Sequence, residues 1–289
     1  MLRSGRAPAK LNLGLELLGR RADGYHQLAA ISQTIDWSDV VAVEQGDPGR
    51  EPPHLQVWGP EAHRVPLGES NLALRAAILL RGETVVTPVT RVGLEKRIPT
   101  QSGLGGGSAD AAAVLRLAAV ALASERRQEL ALTCGADVPF GLRGGAGQVG
   151  GVGEVVSPLP TLRQGAFVIV VLDSVDTTAA YAASQPQDFS DGRRVAALAA
   201  AMQIGAPLDP ELLGSSLQAA ALRAVPPLGA RLARLAEATP GSSWAMTGSG
   251  GAFFSYLPDP GRASALATLV GAACPKAPVR VALPLGPMQ

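Results

Sequence analysis

Aromatic residues are scarce: five Phe, three Trp and three Tyr make up 4% of the 289 residues. A core must therefore be filled mainly by Leu, Val and Ala. Cysteine is rarer still. Cys134 and Cys274 stand far apart, with neither metal-ligand spacing nor a nearby partner. That excludes a cysteine zinc site and a disulfide framework, and it suits two buried thiols in a reducing, cytoplasmic setting. Net charge is almost absent, with 25 Lys and Arg against 24 Asp and Glu. No overall field draws the chain to a polyanion or a membrane surface. Its basic residues are scattered without stacking aromatics among them, which argues against nucleic acid as a partner. Long apolar runs are missing too. After Arg3 and Arg6 the one candidate stretch is interrupted by Lys10, Asn12 and Glu16. Neither a signal peptide nor a membrane span is expected.

What the chain has in quantity is glycine, 34 residues in all. The densest run, Gly103–Leu104–Gly105–Gly106–Gly107, follows Pro99 and leads into the alanine-rich stretch from Ala109 to Ala123. Glycine lets backbone N–H groups approach a ligand closely. A helix start adds unpaired N–H donors and the positive end of a dipole. Together they predict an anion site, most naturally for a phosphate chain. Ser108, expected where the helix begins, can cap it or reach a phosphate or its metal. The run is not a Walker A loop, because no Gly-Lys-Ser/Thr follows. It is not a dinucleotide fingerprint, because Ser108 stands where a third glycine belongs. A literal G-x-G-x-x-G at Gly145, Gly147 and Gly150 leads into Gly151–Val152–Gly153, a poor helix, and reads as a turn.

Periodicity places the rest. Leu11, Leu13, Leu15 and Leu17 alternate with Asn12, Gly14 and Glu16, so a strand with one buried face is expected, with Lys10 and Asn12 sharing the other. Arg20 to His26 reads as a polar turn around Asp23–Gly24, Val40 to Val43 as a short strand, and 48–53 as a loop. A helix is predicted over 71–80 with Ser70 or Asn71 as cap, and a strand over 89–95 feeding the glycine run. A short helix over 125–132 and a tight turn at Gly135–Pro139 follow. Further on come a strand at 167–172, helices at 195–202, 217–224, 228–238 and 261–273, and strands at 252–257 and 279–283. A second glycine cluster lies at Thr247–Gly251. The expected class is α+β, with helices on one face of a small antiparallel sheet in the second half. A domain boundary is expected near residue 156, giving 1–156 and 157–289.

If the glycine run holds a nucleotide's phosphates, phosphoryl transfer needs neutralised charge, a positioned acceptor and a base. Lys10 is an available cation and Asp137 an available carboxylate. By itself Lys10 reads as a solvated strand-end charge, and Asp137 as a turn residue. Tyr25 and His26 offer a flat ring and an imidazole suited to a heterocycle. His54 and His63, in polar loops, receive no role.

Several separated segments resemble one family, the GHMP kinases. Pro8-Ala9-Lys10-Leu11-Asn12-Leu13 resembles the family's first motif, and Pro99 to Ala111 its phosphate-binding motif. Gly135-Ala136-Asp137-Val138-Pro139-Phe140 resembles the segment with the catalytic aspartate, and Thr247 to Ala252 the third, glycine-rich motif. Arg21-Ala22-Asp23-Gly24-Tyr25-His26 resembles the segment of the members that phosphorylate a cytidyl diphosphate-linked polyol for isoprenoid precursor synthesis. The resemblance implies a ribosomal-S5-like N-terminal domain, a GHMP C-terminal domain and a site between them. It implies Asp137 as general base and Lys10 beside the acceptor hydroxyl and the γ-phosphate. ATP with Mg²⁺ would lie on Pro99 and on the loop from Gly103 through Ser108 to Ala109, with Asn71 and Lys96 near the nucleotide. Asn12, Tyr25, His26 and Thr177 (or its neighbour Thr178), with Gly248 and Ser249, would hold the substrate. Other GHMP substrates, such as a sugar, homoserine or a mevalonate derivative, are disfavoured by Gly24–Tyr25–His26. A non-catalytic nucleotide-binding relative is disfavoured by the presence of both Lys10 and Asp137. The chain departs from the family in having Ala109 where a second Ser is usual, and a short connection before Asp137. Asp110 suits the helix dipole but would repel ATP unless it points away or Mg²⁺ intervenes.

Overall fold

The computed structural model describes every residue except Pro48, Arg50 and Gln289. Those three fall outside the described residues, and two of them belong to the loop expected at 48–53. The chain opens with a long hairpin, β1 (Leu2–Arg20) and β2 (His26–Gln45), closed by the turn around Asp23 and Gly24. The short strand expected at 40–43 is the end of β2. β3 (His54–Trp58), α1 (Leu72–Leu80) and β4 (Val89–Glu95) follow. Asn71 caps α1 as expected, its Oδ1 accepting from the N–H of Ala73 at 3.0 Å and of Leu74 at 3.2 Å. α2 (Gly106–Ala118) starts two residues before Ser108, because Gly105 in a left-handed conformation (φ 70°) caps it, and it ends at Ala118, before 123. Ser108 is therefore its third residue and not its cap. α3 (Ser124–Cys134) and α4 (Val138–Arg143) complete this stretch, with Asp137 at the junction.

β5 (Ala146–Gly150) and β6 (Val155–Leu159) are a second hairpin. The tract read as a turn, from Gly145, is thus strand from Ala146 to Gly150. Gly147 is suited to it, because a Cβ there would stand 3.1 Å from the Ser157 carbonyl oxygen. The boundary expected at 156 would fall inside β6, which pairs with β5 throughout. β7 (Ala166–Val171), α5 (Thr177–Ala182), α6 (Arg193–Gln203), β8 (Gly214–Ser215), α7 (Gln218–Ala224) and α8 (Pro227–Ala238) follow. The chain then forms β9 (Ala245–Met246), β10 (Ala252–Leu257), α9 (Ala263–Ala273) and β11 (Val279–Ala282).

The first sheet runs β3-β4-β2-β1-β8, and β5–β6 join the other half of β2. The second is an antiparallel sheet in the order β11-β7-β10-β9. β7 is buried on both faces, so it reads as an unbroken apolar run. Val168 and Val170 pack with Leu228 and Leu235 of α8 and Val270 of α9. Phe167, Ile169 and Val171 pack towards Leu11, Leu13 and Ile31 of the first sheet. The α+β expectation holds, with helices on one face of the second sheet and the first sheet covering the other.

One expectation about β1 fails in an informative way. Leu11 and Leu13 lie in one core cluster, while Leu15 and Leu17 lie in another. Asn12 pairs with Ser32 but Gly14 pairs with Ile31, so Leu13 is an extra residue on β1. Such a bulge reverses which face later side chains take. After it, Gly14 and Glu16 turn to α6, where Glu16 Oε2 accepts from the Val195 N–H at 2.7 Å.

Candidate active site

Three segments meet at the loop ahead of α2. The Lys10 N–H donates to the Leu104 carbonyl at 3.0 Å, tying β1 to the loop. The Ala252 N–H donates to the Ser102 carbonyl at 3.0 Å, tying in the second glycine cluster. Gly103 has φ 80°, and a Cβ there would drive into the Thr247 carbonyl oxygen. A Cβ on Gly248 would stand 2.9 Å from the Gly103 carbonyl and 3.3 Å from Asn12 Oδ1. A Cβ on Gly105 would meet the Lys10 side chain at 3.0 Å. The glycines at 103, 105 and 248 are thus what lets two loops and a lysine occupy one place.

Lys10 is 9% exposed, and its Nζ lies 3.4 Å from Asp137 Oδ2. It also donates to Asn12 Oδ1. Asn12 is fixed in turn, its Nδ2 donating to Ser32 Oγ at 3.0 Å and its N–H to Thr247 Oγ1 at 2.8 Å. Asp137 sits in front of α4, with Pro139 in that helix's first turn, yet its carboxylate makes no capping bond. It is left half-exposed, facing Lys10. Lys10, Asp137, Gly105, Ser108 and Ala109 line one small cleft with Pro8, Thr34 and Phe140.

On the other side of Asp137 is an aromatic corner. The His26 ring lies 5.3 Å from that of Tyr181 and 6.1 Å from that of Phe189, and Ser184 Oγ is 3.0 Å from His26 Nε2. Burial, and secondarily the Arg20 charge, lower the His26 pKa. Burial, with the Asp137 charge added, raises that of Tyr181. Thr177 Oγ1 meets Ser249 Oγ at 2.9 Å, so Thr177, not Thr178, faces the second glycine cluster. Sequence reasoning missed Tyr181, Ser184 and Thr34. Tyr181 stands four residues after Thr177, on the same face of a helix, but α5 was not predicted.

Three of the expected residues sit differently. Tyr25, in the hairpin turn, is 66% exposed and, among the described residues, is absent from the ring pairs that His26 makes with Tyr181 and Phe189. The Asn71 side chain is taken up by α1 and by the Pro66 carbonyl, to which its Nδ2 donates at 3.0 Å. Lys96 is 2% exposed and bonded to Asp39 and Asp110 beneath the loop. Neither Asn71 nor Lys96 has a polar side-chain atom turned to the cleft. Pro99 stays with the loop through its carbonyl, which accepts from Ser102 Oγ at 2.6 Å. Among the described residues no cluster of three or more His, Cys, Asp or Glu could hold a metal, and no helix is long and apolar enough to cross a membrane.

The glycine cradle, the paired lysine and carboxylate, and the two-sheet frame belong together in one class. Residues 71–147 match the family model described as GHMP kinases N terminal domain. A crystal structure of 4-(cytidine 5'-diphospho)-2C-methyl-D-erythritol kinase superposes with a TM-score of 0.73 at 35% identity, covering 97% of this chain and 99% of that one. A homoserine kinase from Cytophaga hutchinsonii superposes equally well, 0.73 over 100% and 96% of the two chains. Its 18% identity speaks for the fold alone. The chain is a GHMP kinase. The 4-diphosphocytidyl-2-C-methyl-D-erythritol kinase of Polaromonas sp. (strain JS666) is 38% identical over 270 residues, 87% of this chain and 82% of that one. Within the GHMP kinases, then, the chain belongs to the 4-diphosphocytidyl-2-C-methyl-D-erythritol kinase family.

Proposed function

We propose that the chain transfers the γ-phosphoryl group of ATP to the 2-hydroxyl of 4-diphosphocytidyl-2-C-methyl-D-erythritol, a step towards isoprenoid precursors. The observation that carries this reading is the 3.4 Å approach of Lys10 Nζ to Asp137 Oδ2 at the lip of the glycine loop. Asp137 accepts the proton of the acceptor hydroxyl while its oxygen bonds to the γ-phosphorus. The bond from that phosphorus to the β,γ-bridging oxygen breaks, and ADP leaves. Because Asp137 caps nothing, its lone pairs are free for this. A positioned base contributes ~10²–10⁴ in rate. Lys10, oriented by Asn12, faces Asp137 and offsets charge on the transferring group.

The backbone N–H groups from Gly103 to Ser108, with the start of α2 behind them, hold the phosphates. Ala109 lines the cleft without the hydroxyl usual in the family at that place, and the backbone N–H groups carry the cradle instead. Mg²⁺, a hard cation content with phosphate oxygens and water, fits a cleft with one free carboxylate and the Ser108 hydroxyl. Bound there it would neutralise the triphosphate. The cytidyl group lies in the corner of His26 and Tyr181, with Tyr25 folding over it and Thr177, Gly248 and Ser249 along its edge.

The test is ATP consumption across a substrate panel. Turnover with the cytidyl diphosphate polyol, and none with homoserine or mevalonate, is the expected pattern. Turnover with homoserine and none with the cytidyl compound would overturn the substrate assignment.

A further inference from the structure

The cleft in front of the glycine loop has few side-chain donors. Of the side chains lining it, Lys10, Ser108 and Thr34 can donate a hydrogen bond, Asp137 is a carboxylate, and Pro8, Ala109 and Phe140 offer no donor. Lys10, Ser108 and Asp137 already have work in the proposed transfer. Thr34 has none.

The pairing of β1 with β2 puts Thr34 where it is. It stands directly opposite Lys10, as Ser32 stands opposite Asn12. Opposed residues send their side chains to the same face, within contact distance of each other. Thr34 therefore shares the cleft face with Lys10 and Asn12. Its main chain is pinned from two sides. The N–H donates to the Gly145 carbonyl at 2.8 Å, and the carbonyl accepts from the Leu285 N–H at 2.8 Å and from Gln33 Nε2 at 2.8 Å. A β-branched side chain on a fixed strand has few rotamers left. The two hydroxyls on this face differ. Ser32 Oγ is taken, accepting from Asn12 Nδ2 at 3.0 Å. Thr34 is 2% exposed, lines the cleft, and among the described residues its hydroxyl has no hydrogen-bond partner. The cleft is where that hydroxyl can find one.

We propose that Thr34 is a further substrate-contacting residue, its Oγ1–H donating to an oxygen of the γ-phosphoryl group of ATP. The inference rests on the glycine loop being the phosphate site and Asp137 the base. Charge on a phosphoryl group in transfer is spread over three outer oxygens. Lys10 addresses the group from β1, and the loop with Ser108 from α2. Thr34 comes from the third wall, β2. A hydroxyl suits this position better than a second cation, which would stand directly opposite Lys10 and repel it. A donor fixed before the substrate arrives needs no reorganisation when charge moves onto the group. ADP has no third phosphate and makes no use of Thr34.

The experiment is calorimetric titration of the full chain with MgATP and with MgADP, without the polyol, followed by steady-state kinetics with it. Thr34→Val keeps the shape and the β-branch and removes the donor. Its MgATP affinity should fall roughly 10–100-fold, the loss of one hydrogen bond to a charged group, with MgADP affinity unmoved. kcat/KM for ATP should fall at least as far. Thr34→Ser, which keeps the hydroxyl, should restore the native ratio of the two affinities. A native ratio in Thr34→Val overturns the inference. So does an equal fall for both nucleotides, which is what a distorted cleft would produce. Should Thr34→Val not fold, the Thr34 methyl resonance of the native chain decides. A displacement by MgATP well beyond that by MgADP supports the proposal, and the same response to both overturns it. Turnover in Thr34→Val matching that of a native chain that binds MgATP sinks this inference alone. A native chain that binds neither nucleotide sinks the loop assignment and the inference with it.

Discussion

Gly107→Ala separates what the fold needs from what the nucleotide needs. Gly107 is the second residue of α2, is exposed, and does not have a left-handed φ. A Cβ there would meet Leu72 Cδ1 at 3.9 Å, an ordinary contact, and nothing closer outside its own helix. Alanine in a helix is worth up to about 1 kcal/mol over glycine. On stability alone this glycine is therefore a loss, and the substitution should raise Tm by ~2–4 °C in a chain of this size. The same methyl would stand beside an unpaired helix-start N–H. There it obstructs an oxygen of the triphosphate. Losing one charge-assisted hydrogen bond costs ~1.5–3 kcal/mol, which is roughly 10–100-fold in MgATP affinity. Thermal unfolding and titration calorimetry read the two effects separately, and they should move in opposite senses. Gly103→Ala is the contrast. Its φ of 80° and the clash with the Thr247 carbonyl make that change destabilising as well as damaging to binding. A Gly107→Ala protein that is more stable and binds MgATP as before would show that no phosphate approaches the start of α2.

Three further perturbations test the rest of the site. Asp137→Asn should lower kcat by ~10²–10⁴ with MgATP affinity nearly intact by calorimetry, and near-native turnover would remove it as the base. Lys96→Met should leave Asp39 and Asp110 buried without their cation and cost ~3–5 kcal/mol in urea unfolding at pH 8. The loss should shrink as pH falls and Asp110, pushed up to about 7 by burial, protonates, and an unchanged midpoint at pH 8 would refute the triad's role. Burial, and secondarily the Arg20 charge, lower the His26 pKa, so on acidification it gains its proton later than a free imidazole. KM for the cytidyl substrate should therefore be flat near pH 8 and change only at a pH below the ordinary imidazole range. A break above 6.5 that disappears in His26→Gln would contradict the lowered pKa.

The reach of the sequence differed from element to element for physical reasons. α1 was legible because its signals are local: an asparagine cap, a run of good helix formers and a glycine stop. β7 was legible because a strand buried on both faces is apolar throughout. β5 was not, since Ala146–Gly147–Gln148–Val149–Gly150 has little strand propensity, and only the pairing with β2 and β6 holds it extended. Asn71 and Lys96 show the same limit on the functional side. The family resemblance placed them by the nucleotide. The Asn71 side chain is spent locally, on the cap of α1, and that of Lys96 on a buried ion triad that includes Asp39, 57 residues away.

β1 carries this furthest. Its leucines alternate without a break, so nothing in the local pattern marks Leu13 as an inserted residue; the pairing with Ser32 and Ile31 does. Had the alternation run on unbroken, Glu16 would share the face of Lys10 and Asn12. A second carboxylate would then stand on the catalytic side, and α6 would lose the acceptor for its first turn. The bulge instead sends Glu16 to Val195 and brings Leu15 and Leu17 to the catalytic side, where they pack with Phe140 of α4, the helix that follows Asp137. One extra residue thus lets a single strand supply Lys10 and Asn12 to the cleft at its middle and an apolar backing for the catalytic helix at its end. The chemistry of the site depends on that reversal as much as on the glycines.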